Sequence, residues 1–141
     1  MKNTIDEAMQ YIDYIEGEVW KVIPDHSQYL ISNMGRIFGF AQMAIKDVKK
    51  YKGHYYLITR LYNDDGVFEP SISIHRLVAE AFCYNPDIIH KTQVHHKNSD
   101  SLDNRADNLE WLTPEEHHEK HRHRQRKAKR RGTSRNEPEQ T

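Results

Sequence analysis

The sequence predicts an α+β chain: a small N-terminal antiparallel β-sheet, a strand–loop–strand–helix unit behind it, and a basic C-terminal helix and tail. Three observations point there. Between residues 18 and 74, short runs rich in β-branched and aromatic residues are separated by turn signals. A looser hairpin at residues 93–112 runs directly into Thr113-Pro114-Glu115-Glu116, with a capping threonine, a proline at the first helical position and a glutamate at the third. Charge is also sorted along the chain: residues 120–135 hold nine Lys and Arg and no acid, although the formal net charge is +0.

The elements follow in order. Thr4 and Glu7 have capping-box spacing, and Ile5, Met9, Ile12 and Ile15 recur with helical period, so an amphipathic helix is expected over residues 5–16, ending near Gly17. Residues 18–23, 29–32 and 36–40 read as strands, the last two joined by a turn at Asn33-Met34-Gly35. Residues 55–62 and 67–74 form a hairpin about Asn63-Asp64-Asp65-Gly66, and Pro70 makes its second strand an edge or an interrupted one. These strands are expected to form one small antiparallel sheet. Leu77, Val78, Ala81 and Phe82 mark a helix over residues 75–84, closed by Asn85-Pro86. Residues 93–96 and 108–112 are extended around a polar loop, and a final helix starts at Pro114 and reaches toward Ala128.

Composition excludes several classes of function. With 141 residues, 36% hydrophobic and 30% charged, the chain suits one modest domain with appendages. A single cysteine, Cys83, allows no internal disulfide framework and no Cys-rich zinc ribbon; within AEAFCY it reads as a small buried hydrophobe. No apolar run is long enough to span a membrane, and MKNTIDEAMQ is too polar for a secretion signal, so a reducing, cytoplasmic setting is expected. The basic run suits a polyanionic partner, with a solubilising tail as the plainer reading.

Six of the ten histidines fall between residues 95 and 123. On the last helix His117 and His121 are four apart and share a face, whereas His118 is turned about 100° away. Alone this pair is a weak signal, but the preceding hairpin ends its first strand on His95-His96. A unit this compact can bring residues 95, 96, 117 and 121 together, and imidazole is a common ligand of transition metals.

The stretch VHHKNSDSLDNRADNLEWLTPEEHHEKH resembles the HNH, or His-Me finger, nucleases with their ββα-metal core. Upstream, EVWKVIPDHSQYLISNMGRIFGF is similar to the nuclease-associated modular segment that precedes HNH cores in phage homing endonucleases, and IHRLVAEAFCYNPD fits the connecting helix of that group. The resemblance implies a helix over residues 1–17, a β-rich DNA-binding segment over 18–70, an HNH nuclease core over 71–122 and a basic tail over 123–141. It also implies metal-dependent hydrolysis of DNA phosphodiesters. His96 matches the general base that takes a proton from water, and Asn108 the residue that fixes the loop carrying it. His117 matches the metal ligand on the helix. His95 stands where members carry Asp or His as a ligand, and His121 matches a further ligand of the bacterial toxin branch. One divalent ion is implied, Mg²⁺ or Mn²⁺ first and Zn²⁺ or Ni²⁺ as alternatives, because histidine replaces aspartate at position 95.

The implied partner is double-stranded DNA, cut one strand at a time by a monomer, in a bacterial host cell and encoded by a phage or mobile element. Arg122, Arg124, Arg126, Lys127, Lys129, Arg130 and Arg131 are the expected phosphate contacts, giving salt-sensitive affinity with little sequence preference. Lys46, Lys49, Lys50, Lys52 and Arg60 are weaker candidates near the N-terminal sheet. No helix-turn-helix pattern follows the core, which points to lower selectivity than in homing enzymes that carry one. The competing readings are an HNH-fold DNA-binding protein without cleavage and a structural zinc module closed by His95, His117 and His121.

Overall fold

The computed structural model describes residues 4–48, 50 and 55–122. It begins with a short helix α1 (Ile5–Ala8), whose Thr4 hydroxyl accepts from the Glu7 amide at 3.1 Å. The capping box forms, but the helix ends at Ala8, eight residues short of its expected end. Tertiary demand overrides the periodicity beyond it. The Asp13 carbonyl and carboxylate both accept from Arg36, at 3.0 and 2.8 Å, so residue 13 serves the sheet. Ile12 still buries its side chain.

Four antiparallel strands follow in sequential order: β1 (Trp20–Ile23), β2 (His26–Ser32), β3 (Ile37–Gly39) and the unanticipated β4 (Ala44–Ile45). Leu30 faces Phe38 and Ile31 faces Ile37 across β2 and β3. Successive residues of a strand point to opposite faces, and both faces of this sheet are covered. Leu30 and Phe38 pack with Ala8, Ile12, Trp20 and Phe40 under α1; Ile31 and Ile37 pack on the opposite side with Leu61, Ile74 and Val78. Fully burying each of these aliphatic or aromatic chains contributes about 1.5–3 kcal/mol. That explains the unbroken apolar pairs in YLIS and RIFGF, where an exposed face would have required alternation.

The turn from β2 to β3 is held by its own polar atoms. The buried Ser32 hydroxyl accepts from the amides of Met34 and Arg36, both at 3.1 Å, and Gly35 takes φ +86°, which disfavours any side chain. Asn33 reaches back to the Val19 amide and the Gly17 carbonyl. Arg36 forks onto Glu18 and Asp13 over the Trp20 ring.

The expected single sheet is divided. The hairpin of β5 (Ile58–Tyr62) and β6 (Phe68–Ser73) is a separate two-stranded sheet. It joins the first through side chains: Tyr62 N–H donates to the Tyr29 hydroxyl at 3.2 Å, His26 pairs with Glu69 at 2.6 Å, and Ser27 donates to Asp64. Its register shifts between Thr59 and Leu61, opposite Pro70, where a missing amide is tolerated.

Helix α2 (Ile74–Phe82) buries Ile74, Leu77, Val78 and Ala79 between the sheet and a third antiparallel pair, β7 (Gln93–His96) and β8 (Leu109–Leu112). A 3₁₀ turn at Ala106–Asn108 leads into β8. Residues 114–122 then form helix α3. The Thr113 hydroxyl accepts from the Glu116 amide and the Glu116 carboxylate from the Thr113 amide, at 3.0 and 2.9 Å, so this capping box is complete. The expected extension toward Ala128 lies outside the described residues, as does the rest of the basic tail.

Candidate nuclease site

The site is assembled where β7, the 97–107 loop, α2 and α3 meet. His95 pairs with Glu110 and His96 with Leu109 across the ladder, and β7 ends at His96. The Ser99 amide then donates to the His96 carbonyl at 3.0 Å, with Ser99 at φ +66°. The strand holds both histidines and gives way to the loop only after them. Each ring therefore has a different neighbour: His95 lies 5.6 Å from His117 of α3, and His96 lies 4.9 Å from His75 at the start of α2.

The loop is fastened at its far end. Asn108, 6% exposed, accepts from the Asn98 amide at 3.1 Å, and its Nδ2 donates to Asn98 Oδ1 at 3.0 Å and the Asp103 carbonyl at 2.8 Å. Asn98 and Asp100 then accept from amides two residues ahead, at 2.9 and 3.0 Å. Polar side chains thus stand in for the missing ladder. Asp103 accepts from Arg105 and Asn98, and these contacts, Arg105 first, hold its carboxyl down at about 2.

On α3, His117 and His121 are one helical turn apart, with ring centroids 5.7 Å apart, while His118 is exposed. The Gln93 amide oxygen lies 2.9 Å from His117 Nδ1 and accepts its proton, leaving Nε2 as the lone-pair nitrogen. Two imidazoles sharing a zinc-like ion at about 2.1 Å hold their ring centres about 5 Å apart. The rings of His95, His117 and His121 stand in a row at 5.6 and 5.7 Å, near that spacing but wider. No three His, Cys, Asp or Glu side chains among the described residues already stand in a coordination shell.

Electrostatics favour the neutral ring at His95 and at His75. Burial lowers the His95 pKa, opposed by Glu110 and assisted by His117, Lys120 and His96. His75 is pushed down to about 4 by burial first, then by His96, Arg76 and His117. A neutral ring is the form in which His95 can act as a ligand.

Other residues take structural roles. Trp111 packs against the main core and donates to the Cys83 carbonyl at 3.2 Å, while the Cys83 thiol, raised by burial, points to the Ala106 carbonyl at 3.4 Å. Arg76 is occupied by Glu80, the Thr92 carbonyl and the Trp111 ring. Arg122 pairs with Glu119 one turn away. Arg124, Arg126, Lys127, Lys129, Arg130 and Arg131 lie outside the described residues, as do Lys49 and Lys52. Sequence reasoning overlooked His75 and Gln93. A signal for His75 existed: it shares helical spacing with Val78, Ala79 and Phe82, placing a histidine on a buried stripe. Gln93 carried none, since its role appears only once α3 packs against β7.

Among the described residues, no helix is long and apolar enough to cross a membrane. The HNH endonuclease family model matches residues 73–119, which contain the His95–His96 strand end, the pinned loop and His117. An uncharacterized HNH endonuclease of Acanthamoeba polyphaga mimivirus is 36% identical over 103 residues, 72% of this chain and 25% of that protein. The H-N-H endonuclease F-TflII of Escherichia phage T5 is 30% identical over 100 residues, 71% of this chain and 50% of that protein. The chain thus spans half or less of the length of these relatives. A solved structure describing DNA binding and cleavage by the HNH homing endonuclease I-HmuI is similar at TM-score 0.67 and 25% identity, over 81% of this chain and 66% of that one. Residues 73–119, which hold the candidate site, are the part of the chain that matches the HNH endonuclease family.

Proposed function

We propose that this protein is a metal-dependent DNA endonuclease of the homing type that hydrolyses phosphodiester bonds in duplex DNA and nicks one strand per encounter. The observation that carries this reading is the placement of His96: it sits at the root of a loop pinned by Asn108, next in the chain to His95, whose ring begins the row with His117 and His121. His96 would take the proton from the attacking water, and Asn108 would hold the loop that carries it. His95 and His117, with His121 as a further ligand, would hold one divalent ion, Mg²⁺ or Mn²⁺ in preference to Zn²⁺ or Ni²⁺. Such an ion would stabilise the charge that develops on the phosphate and on the leaving 3′ oxygen. Water is the nucleophile, so no serine or cysteine is needed, consistent with the partly buried and un-ionised Cys83 thiol.

Residues 18–70 would supply contacts to the duplex from the first sheet and the β5–β6 hairpin, and Arg122 with the basic residues after it would follow the phosphate backbone. The protein is read as a monomer acting in the cytoplasm of a host cell and encoded by a virus or mobile element, in keeping with its phage and viral relatives. Incubation of chelator-stripped protein with supercoiled plasmid and each divalent ion in turn tests this. The reading expects open-circle product with Mg²⁺ or Mn²⁺ and little linear product. DNA binding without cleavage under every ion, on plasmids carrying candidate targets, would assign the chain to the non-cleaving DNA-binding class.

A further inference from the structure

We propose that Asn104 is a positioning residue for His96, and that the β2–β3 turn of the N-terminal sheet holds Asn104 in place. The catalytic meaning of this inference rests on the endonuclease reading; the contact itself does not. Asn104 is 5% exposed, and its Oδ1 lies 2.8 Å from His96 Nε2. A carbonyl oxygen can only accept, so Nε2 carries the proton and the lone pair sits on Nδ1. Nδ1 is therefore the nitrogen left to take a proton from water. His75 lies beside the His96 ring at 4.9 Å, tilted 55° to it, and is backed in turn by Tyr56 at 5.1 Å. The neighbouring ring restricts the rotamer of the base, and the amide at its edge selects the tautomer. The Asn104 Nδ2 is buried without a partner among the described residues.

Asn104 is itself braced from the other module. A Cβ built on Gly35 would lie 3.1 Å from the Asn104 Cβ and 3.5 Å from its carbonyl oxygen, at a φ of +86°. Two residues further on, the Ala106 amide donates to the Asn33 carbonyl at 2.8 Å. The N-terminal sheet and the β7–β8 pair share no ladder, yet the turn of one presses on the side chain that orients the base in the other. A change at Gly35 should therefore lower the rate of cleavage at saturating DNA, a readout that does not depend on any contact the turn makes with the duplex.

Two measurements decide this. Long-range ¹⁵N–¹H spectra of the wild-type imidazoles at mildly alkaline pH, assigned with His96→Gln, should show the His96 proton on Nε2. A proton on Nδ1 means the amide is turned with Nδ2 donating, and overturns the proposal. Single-turnover nicking at saturating plasmid with Mn²⁺, beside DNA affinity and thermal melts, is then compared for Asn104→Leu, Asn104→Asp and Gly35→Ala. Asn104→Leu and Gly35→Ala should each lower the saturated rate about 10–100-fold, Asn104→Leu at unchanged affinity, and Asn104→Asp, which keeps an acceptor, should recover part of it. A folded Asn104→Leu variant that cleaves at the wild-type rate, or losses confined to affinity, overturns the proposal. If Asn104→Leu does not fold, Gly35→Ala and the wild-type spectrum decide. Absence of cleavage by the wild type would instead reject the endonuclease reading, with the spectrum still reporting on the contact.

Discussion

Replacing Asn108 by alanine removes the fastening of the 97–107 loop in one step. The side chain makes three hydrogen bonds at 3.1, 3.0 and 2.8 Å from a position that is 6% exposed. Each is worth about 1 kcal/mol net, and stranding buried partners adds to that, so Asn108→Ala should lose about 2–4 kcal/mol. A domain of this size has a stability of about 5–15 kcal/mol, so the variant should remain folded at room temperature. The loss should also be local. The Lys97 amide still donates to the Asn108 carbonyl at 2.8 Å, because that bond is made by backbone. Urea unfolding measures the total, and hydrogen exchange at the Asn98 amide measures the loop. Asn108→Asp keeps an acceptor for that amide but offers no donor to Asn98 Oδ1 or the Asp103 carbonyl, so it should fall close to alanine. A loss below about 1 kcal/mol with undiminished protection at Asn98 would refute the claim that this side chain pins the loop.

Further outcomes follow from the same geometry. Asp103, depressed to about 2 chiefly by its Arg105 hydrogen bond, contributes stability that is present above its ordinary value near 3.8 and lost as pH falls toward 2; melting temperatures of wild type and Asp103→Asn should converge at the acid end. His75 is depressed to about 4, so the folded chain binds fewer protons than the unfolded chain between pH 4 and 6.5; stability should rise with pH across that window, and His75→Phe should flatten the rise. His117→Ala should raise the Mn²⁺ concentration needed for half-maximal nicking by about 10-fold or more, and chelation should abolish nicking by the wild type until metal is restored. An unchanged metal requirement in His117→Ala would remove that residue from the ligand set.

Much of the fold was legible because local chemistry settled it. The Thr113–Glu116 capping box, the Asn63–Gly66 turn and the Gly35 turn each satisfy their own backbone groups, so tertiary context had little to alter. The first helix was misread because Ile12 and Ile15 keep helical spacing while Asp13 is recruited by Arg36, a partner 23 residues away. The division into separate sheets was invisible for a similar reason: strand patterns report which face is buried, and not which strand lies alongside. In the candidate site the spacing of His117 and His121, and the pairing of His95 with His96, could be seen directly. The support around them could not. Gln93, His75 and Asn104 act across elements, and their roles depend on how α2, α3 and the 97–107 loop pack.

The most direct test of the account is the single-turnover nicking rate of His96→Ala beside wild type, with Mg²⁺ or Mn²⁺ and with DNA binding measured on the same preparations. The account predicts a fall of about 100-fold or more with plasmid affinity and fold retained. A His96→Ala protein that nicks supercoiled plasmid at the wild-type rate would contradict the assignment of the base and, with it, the mechanism proposed for this site.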